Sequence, residues 1–289
     1  MKSKLQLCGV NNTANEVVAA NLKATIERGY VLLEVQEDQR RPVSIVGAGP
    51  SLAHTYKKIV GDVIACNSAH DFLLSKGVIP KYAMVWDAHP VMKGILTPHK
   101  DVKYLIASRC HPSLFEVLKG FDVSVWHALG DEFLESVLLG RRESLVTGGS
   151  SSVTRAMSLA GMMGYTTEMH LFGADSSYAD GKTHVNGSLV DQTKISLECC
   201  GKWFDTAPWM ALQANDFKVL APMIKANGIR IVVHGTGLIP YVASIMKFET
   251  PDLKVSLYEK IRREVYGFAR LYQELRSSPQ LLGGSHAGI

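Results

Sequence analysis

Three short stretches of the sequence combine glycine with hydroxyl, acidic or basic residues, which are the types that bind phosphate. The first is VGAGPSL, in which Gly47 and Gly49 precede Pro50 and Ser51. Glycine lets the backbone take positive φ angles and lets a ligand approach closely. A helix that begins after this turn would direct free N–H groups and a positive dipole end at an anion. The turn therefore predicts either a phosphate site or a tight strand–helix connection without a ligand.

The second stretch, TGGSSS, lies before a helical pattern that begins at about residue 149. Two glycines followed by hydroxyl residues are typical of turns whose backbone N–H groups bind anions. The same residue types also form ordinary N-caps, because Ser and Thr oxygens accept hydrogen bonds from the first helical turn. The candidates for holding phosphate or ribose here are Thr147, Gly148, Gly149 and Ser150.

The third stretch, GADSSYADGKTH, supplies charged and titratable side chains. Asp175 follows a predicted strand, as Asp87 does in WDAHP, and carboxylates in such places either bind Mg²⁺ that bridges phosphates or cap a turn. Imidazole titrates near neutral pH, so His184 is a candidate general base or acid. We assign Asp87 and Asp175 as candidate metal ligands. Asp175, Lys182 and His184 are the candidate catalytic residues.

Short apolar runs rich in Val and Ile alternate with helical patterns and indicate the elements that position these residues. Strands buried on both faces read as continuous apolar runs, because helices cover both sides of a parallel sheet. The alternation predicts an α/β fold with a doubly wound, mostly parallel Rossmann-like sheet. The runs are Val43–Val46, Val63–Cys66, Tyr82–Trp86, Tyr104–Ala107, Val123–Trp126, Met169–Phe172 and Ile229–Val233. The predicted helices cover about 50–59, 68–76, 112–119, 131–139, 149–163 and 208–227.

Helical patterns at both ends extend this sheet domain. Ala14–Arg28 has Thr13 and Glu16 at the spacing of a capping box, and Leu253–Ser277 carries an apolar stripe. We expect these terminal helices to pack on the core or to form a homo-oligomer contact. The predicted divisions are 1–40, an N-terminal helical extension; 41–248, a Rossmann-like nucleotide-binding domain; and 249–289, a C-terminal helix and flexible tail.

In open α/β sheets, ligands bind at the carboxyl ends of the strands, which adds two candidates. Asn67 follows the second predicted strand and Ser108 follows the fourth. The dinucleotide fingerprint is poorly matched, because Leu52 stands at the third glycine position and the second strand lacks a terminal acid. The pattern therefore argues against an NAD or FAD dehydrogenase and favours another nucleotide.

The overall composition favours a cytoplasmic globular protein. Lys and Arg exceed Asp and Glu by only 4 and form no run, so we expect no nucleic-acid partner. The 5 cysteines are odd in number and lack CxxC spacing, which suits buried thiols in a reducing compartment. No stretch reaches the ~18 apolar residues of a spanning helix, and the N-terminus lacks an apolar signal core. We therefore expect no membrane association.

Four blocks in order resemble the MptE-like 6-hydroxymethylpterin diphosphokinase family across about residues 43–187. They are VSIVGAGPSL, IACNSA, GVIPKYAMVWDAHP and LVTGGSSSVTRAMSLAGMMGYTTEMHLFGADSSYADGKTH. The same fold group includes the flagellin-modifying motility accessory factors and resembles the bacterial CMP-sialic-acid transferases. The resemblance implies that the Gly-Pro turn and Asn67 hold a nucleotide. It also places His184 in the region where the sialyltransferases keep their catalytic histidine.

The resemblance implies a specific reaction, which is Mg²⁺-dependent transfer of diphosphate from ATP to a hydroxymethyl, pterin-like acceptor. In this reading the glycine turns and Lys182 hold the donor, Asp87 and Asp175 hold Mg²⁺, and His184 removes the acceptor proton. One alternative is a CMP-sugar glycosyltransferase, in which His184 is the base and no metal is required. Another is a catalytically silent nucleotide-binding or assembly protein that uses its terminal helices for partners.

Overall fold

The computed structural model describes residues 13–129, 144–187 and 194–253. The strands are β1 (Val43–Val46), β2 (Asp62–Cys66), β3 (Tyr82–Val85), β4 (Lys103–Ala107), β5 (Val123–Ala128), β6 (Leu145–Val146), β7 (Glu168–Phe172), β8 (Ile195–Cys199), β9 (Lys202–Thr206) and β10 (Arg230–Val233). The helices are α1 (Asn15–Arg28), α2 (Leu52–Thr55), α3 (Ala69–Ser75), α4 (Pro112–Val117), α5 (Ser152–Met162), α6 (Pro208–Ala226) and α7 (Leu238–Ile245), with 3₁₀ turns at Tyr56–Lys58 and Pro90–Gly94.

In the described ranges, eight strands form one sheet in the order β10-β7-β1-β2-β3-β4-β5-β6, and every neighbouring pair is parallel. This confirms the predicted α/β, Rossmann-like fold, and each predicted apolar run overlaps a strand. All residues of β1 and β3 are buried, as expected for strands covered by helices on both faces.

The chain reverses its direction of travel across the sheet beside β1. Strands β1 to β6 are added outward on one side, and the chain then returns to place β7 on the other side of β1. The register aligns Val43 with Asp62 of β2 and with Met169 of β7. Because ligands of open α/β sheets bind outside the carboxyl ends of the strands at such a switch point, the expected ligand site lies at the carboxyl ends of the strands around β1.

The helix after the Gly-Pro turn is much shorter than predicted. It covers only Leu52–Thr55 and continues as the 3₁₀ turn, where the sequence predicted a helix over 50–59. The hydroxyl of Thr55 donates back to the carbonyl oxygen of Ser51 at 3.0 Å, a local bond that competes with regular helix. Such a short helix has a weak macrodipole, so it adds little attraction for a phosphate.

The other differences between the predicted and the observed elements each concern a single short segment. The N-cap of α1 is Ala14 without a side-chain cap, so the predicted Thr13 capping box is wrong by one residue. The antiparallel β8–β9 hairpin, the two-residue strand β6 and the helix α7 were not predicted from sequence. The predicted helix over 131–139 lies outside the described residues, as do all but the first residue of the predicted C-terminal helix and the tail. None of the described helices is long and apolar enough to cross a membrane.

Candidate functional site

The loops that follow β1 and β7 lie against each other at the switch point. The N–H group of Gly49 donates to the carbonyl oxygen of Gly173 at 2.8 Å. Gly173 has φ of 57°, and a Cβ there would lie 2.2 Å from the carbonyl oxygen of Gly47. A Cβ on either Gly47 or Gly49 would lie 2.6 Å from the Gly173 oxygen. The glycines of the first turn are therefore required for the close approach of two loops, whether or not a ligand binds.

The carboxylate of Asp175 accepts hydrogen bonds from the donors of the Gly-Pro turn. Its Oδ2 accepts from the Ser51 N–H at 2.6 Å, and its Oδ1 accepts from the Ser51 hydroxyl at 2.5 Å. Its own carbonyl oxygen accepts from the N–H of Leu238, the first residue of α7, at 2.8 Å. Burial raises the pKa of Asp175 to about 6, against the opposing effect of the Ser51 donors. Asp175 thus joins the loops after β1 and β7 to α7, and an anion at Ser51 would have to displace it.

Asp216 of α6 occupies the second glycine turn in the same way. Both the N–H and the hydroxyl of Ser150 donate to Asp216 Oδ2, at 2.7 and 2.5 Å. Ser151 is the N-cap of α5, and its hydroxyl oxygen accepts from the Thr154 N–H at 3.0 Å. The alternative of an ordinary N-cap is therefore met by Ser151, one residue beyond the candidate turn. Asp216 was not singled out in the sequence, although it is the single acidic residue within α6.

The other residues of the second turn have no side-chain contact that would mark them as ligands. Thr147 is exposed, and its hydroxyl lies 3.4 Å from that of Ser158. Gly148 is buried, and a Cβ on it would lie 2.6 Å from the Cα of Arg155. This part of the turn packs against the helix that follows it.

Asn67 connects the end of β2 to the start of α5. Its Nδ2 donates to the Ser152 hydroxyl at 2.9 Å, which fixes the orientation of the amide. Its Oδ1 is buried without a hydrogen-bond partner among the described residues. Its φ is 51°, a conformation that asparagine tolerates better than most residues and that often occurs at functional sites. A buried acceptor of this kind would be satisfied by an amino or hydroxyl group of a nucleotide.

The His184 segment is attached to the Gly-Pro turn. The N–H of Val185 donates to the carbonyl oxygen of Ala48 at 2.7 Å, between the two glycines. His184 Nδ1 lies 2.9 Å from the Thr183 hydroxyl, and burial lowers the pKa of the imidazole. The ring is therefore neutral at neutral pH and able to accept a proton. Lys182 lies in a turn with Ala179 and is exposed.

Two predicted residues lie farther along the same edge of the sheet. Asp87 follows β3, and its Oδ1 accepts from the His89 N–H at 2.9 Å, which forms an Asx turn. Ser108 follows β4 and is buried, with its hydroxyl 2.8 Å from His127 Nδ1. Asp87 and Asp175 follow strands that are not neighbours, because β1 and β2 lie between β3 and β7. Three strand intervals of about 4.8 Å place the ends of β3 and β7 about 14 Å apart across the sheet.

The described residues contain no group of three or more His, Cys, Asp or Glu side chains that could hold a metal ion. Both oxygens of Asp175 accept from Ser51, and Asp87 Oδ1 accepts from His89. The assignment of these two carboxylates as magnesium ligands stays a prediction. The structure gathers the Gly-Pro turn, Asn67, the start of α5 and the His184 segment around the switch point.

Comparison with known proteins places this architecture in a family. Residues 16–181, more than half of the chain, match the family described as 6-hydroxymethylpterin diphosphokinase MptE-like. No curated protein matches the chain. The MAf glycosyltransferase from Magnetospirillum magneticum AMB-1 has a similar structure, with 14% sequence identity and a TM-score of 0.57. The similarity covers 93% of this chain and 43% of that one, so this chain spans less than half of that glycosyltransferase.

The family match confirms the resemblance seen in the sequence, and the structural likeness concerns the fold. The description of the family supports a transferase. The chain belongs to the MptE-like family.

Proposed function

We propose that this protein is a nucleotide-dependent transferase that moves a diphosphate group from ATP to a hydroxymethyl acceptor of the pterin type. The description of its family supports this reaction. The observation that carries the proposal is the 2.7 Å hydrogen bond from Val185 to Ala48, which holds His184 beside the Gly-Pro turn. A base with a lowered pKa therefore lies next to the loops that converge at the switch point.

In this reaction the acceptor hydroxyl oxygen forms a bond to the β-phosphorus of ATP. The bond from that phosphorus to the oxygen bridging the α-phosphate breaks, and AMP leaves with the electron pair. His184 takes the proton of the acceptor hydroxyl. Asn67 Oδ1 accepts a hydrogen bond from the base or ribose of the donor, since it is buried and its amide nitrogen is already held by Ser152.

We assign no step to a metal held by Asp87 and Asp175, because the Asp175 carboxylate already accepts two hydrogen bonds from Ser51. Magnesium that enters with ATP is held largely by phosphate oxygens and water. The proposed role of the chain is therefore to position the nucleotide, to exclude water and to accept one proton.

A second candidate is glycosyl transfer from a CMP-sugar, and the likeness of the fold to that of the MAf glycosyltransferase favours it. This reaction requires no metal held by the protein. In this reaction the acceptor oxygen bonds to the anomeric carbon, the bond from that carbon to the phosphate oxygen breaks, and CMP leaves. His184 again takes the hydroxyl proton.

Thermal stabilisation by ATP and by CMP, each with Mg²⁺ and with EDTA, tests these proposals. A ligand at about 100 times its Kd adds about 2.7 kcal/mol to the stability, so a specific site is measurable. Stabilisation by ATP that requires Mg²⁺, with AMP released when a hydroxymethylpterin is added, supports diphosphate transfer. Stabilisation by CMP that survives EDTA favours the glycosyltransferase. Stabilisation without turnover of either donor would refute both and leave a binding protein.

A further inference from the structure

One face of α6 makes polar contacts with both loops of the candidate site. Gln213 and Asp216 are three positions apart, so they project from the same side of the helix. Gln213 Oε1 accepts from the Ser176 hydroxyl at 3.0 Å, in the loop after β7. Asp216 accepts from Ser150, in the turn after β6. The helix therefore connects two loops that are separate in sequence.

The carboxylate of Asp216 occupies the second glycine turn in the way that a bound anion would. Both bonds from Ser150 converge on one carboxylate oxygen, at 2.7 and 2.5 Å. Gly149 has φ of 76°, and a Cβ on it would lie 2.5 Å from the carboxyl carbon of Asp216. Charge-assisted bonds of this kind are stronger than those between neutral groups. The turn is wrapped around the carboxylate, and a phosphate has no access to these donors while Asp216 is in place.

The position of Ser150 connects this contact to the nucleotide site. Ser150 directly precedes Ser151, the N-cap of α5, and the next residue, Ser152, accepts the hydrogen bond from Asn67. A Cβ on Gly47 would lie 2.7 Å from Val153, so the same helix start also touches the Gly-Pro turn. Asp216 therefore determines where the first residues of α5 lie relative to Asn67 and Gly47.

We propose that Asp216 is a positioning residue for the nucleotide: it occupies the second glycine turn and thereby holds the start of α5 against Asn67. This role rests on the proposed function, because it presumes a nucleotide at the switch point. It also revises the role of the second turn, whose Ser150 donors serve Asp216 and not a phosphate. Nucleotide affinity then depends on a carboxylate that does not touch the nucleotide.

Two variants of Asp216 distinguish the loss of its hydrogen-bond acceptor from the loss of its negative charge. Asp216→Asn keeps an amide oxygen that can accept both bonds, because both converge on one atom, whereas Asp216→Ala removes the acceptor. For whichever of ATP with Mg²⁺ or CMP stabilises the wild type, we expect Asp216→Ala to raise the Kd about tenfold, since small misplacements of positioning groups are costly. We expect Asp216→Asn to restore the Kd to within about threefold of the wild type.

Two further variants complete the binding experiment. Ser150→Ala removes one of the two donors and should give an intermediate Kd. Asp122→Ala is the control, because this exposed carboxylate pairs with Lys103 and precedes β5, at the opposite end of the strands from the candidate site. If Asp216→Ala binds the nucleotide as tightly as the wild type, or if Asp122→Ala weakens binding equally, the proposal is overturned.

Amide hydrogen exchange over residues 147–153 tests the same contact without any ligand. Faster exchange in Asp216→Ala but not in Asp216→Asn supports the positioning role, and unchanged exchange in both variants overturns it. If neither nucleotide binds the wild type, the proposed function fails and the role in nucleotide positioning fails with it. An exchange difference would then show only that Asp216 holds the turn, which keeps the two failures distinguishable.

Discussion

Replacement of Asp175 by asparagine should change how the stability of this protein depends on pH. Asp175 is 3% exposed, both of its oxygens accept from Ser51, and burial raises its pKa from 3.8 to about 6. Between about pH 4 and pH 6 the folded protein therefore binds this proton while the unfolded chain has released it. The contribution of this group to the free energy of unfolding falls as pH rises through that window.

The size of the expected difference in stability follows from the shift in the pKa of Asp175. A rise of about two pKa units corresponds to about 3 kcal/mol, at about 1.4 kcal/mol per unit. The wild type should lose about this much stability relative to Asp175→Asn between about pH 4 and pH 7. Asp62 and Asp252 have lowered pKa values and act in the opposite direction, but they do so in both proteins. The difference between wild type and variant therefore isolates Asp175.

Urea unfolding followed by tryptophan fluorescence, at several pH values from about 4 to 8, measures this difference. Asp122→Asn is the matched control, because it makes the same substitution at an exposed carboxylate that precedes β5. A difference between wild type and Asp175→Asn that stays constant across this range would refute the reasoning. It would mean that the buried carboxyl does not take up a proton in the folded state.

Three further predictions concern the same region. Gly173→Ala should lower the free energy of unfolding in urea by about 1–3 kcal/mol more than Gly120→Ala does. Both glycines have positive φ, but only at Gly173 would the new Cβ lie 2.2 Å from a carbonyl oxygen. Equal losses of stability would contradict this prediction. His184→Ala should abolish transfer while the nucleotide Kd changes less than about threefold, and a variant that retains turnover would exclude His184 as the base. The turnover of the wild type should stay constant from neutral pH upward, because burial keeps the imidazole neutral. Burial lowers the pKa values of His170 and His234, whose ring nitrogens Nδ1 and Nε2 lie 3.0 Å apart, so the contribution of this pair to the free energy of unfolding should fall as pH drops below about 6.5. Relative to the wild type, His234→Gln should lose less stability over that range; parallel pH profiles would contradict this assignment.

The elements of the sheet could be predicted because their signal is local. Val43–Val46 is a continuous apolar run, and the structure buries all of it between neighbouring strands and helices. The hairpin β8–β9 was missed because its strands are only partly buried and contain Glu198, Lys202 and Asp205, which interrupt any apolar run. Helix α2 was overestimated because an apolar pattern does not reveal that Thr55 will bond back to Ser51.

The sequence by itself determined which residues end the strands, and it placed glycines, serines and acids at one edge of the predicted sheet. Only the tertiary structure decided which of them meet. Asp175 lies 124 positions from Ser51, and Asp216 lies 66 positions from Ser150, so no local period or turn rule connects them. Their pairing depends on the return of the chain to place β7 beside β1 and on the packing of α6 over both loops. That order also places β1 and β2 between the strands that precede Asp87 and Asp175, and parallel strands spaced about 4.8 Å apart set the distance between strand ends.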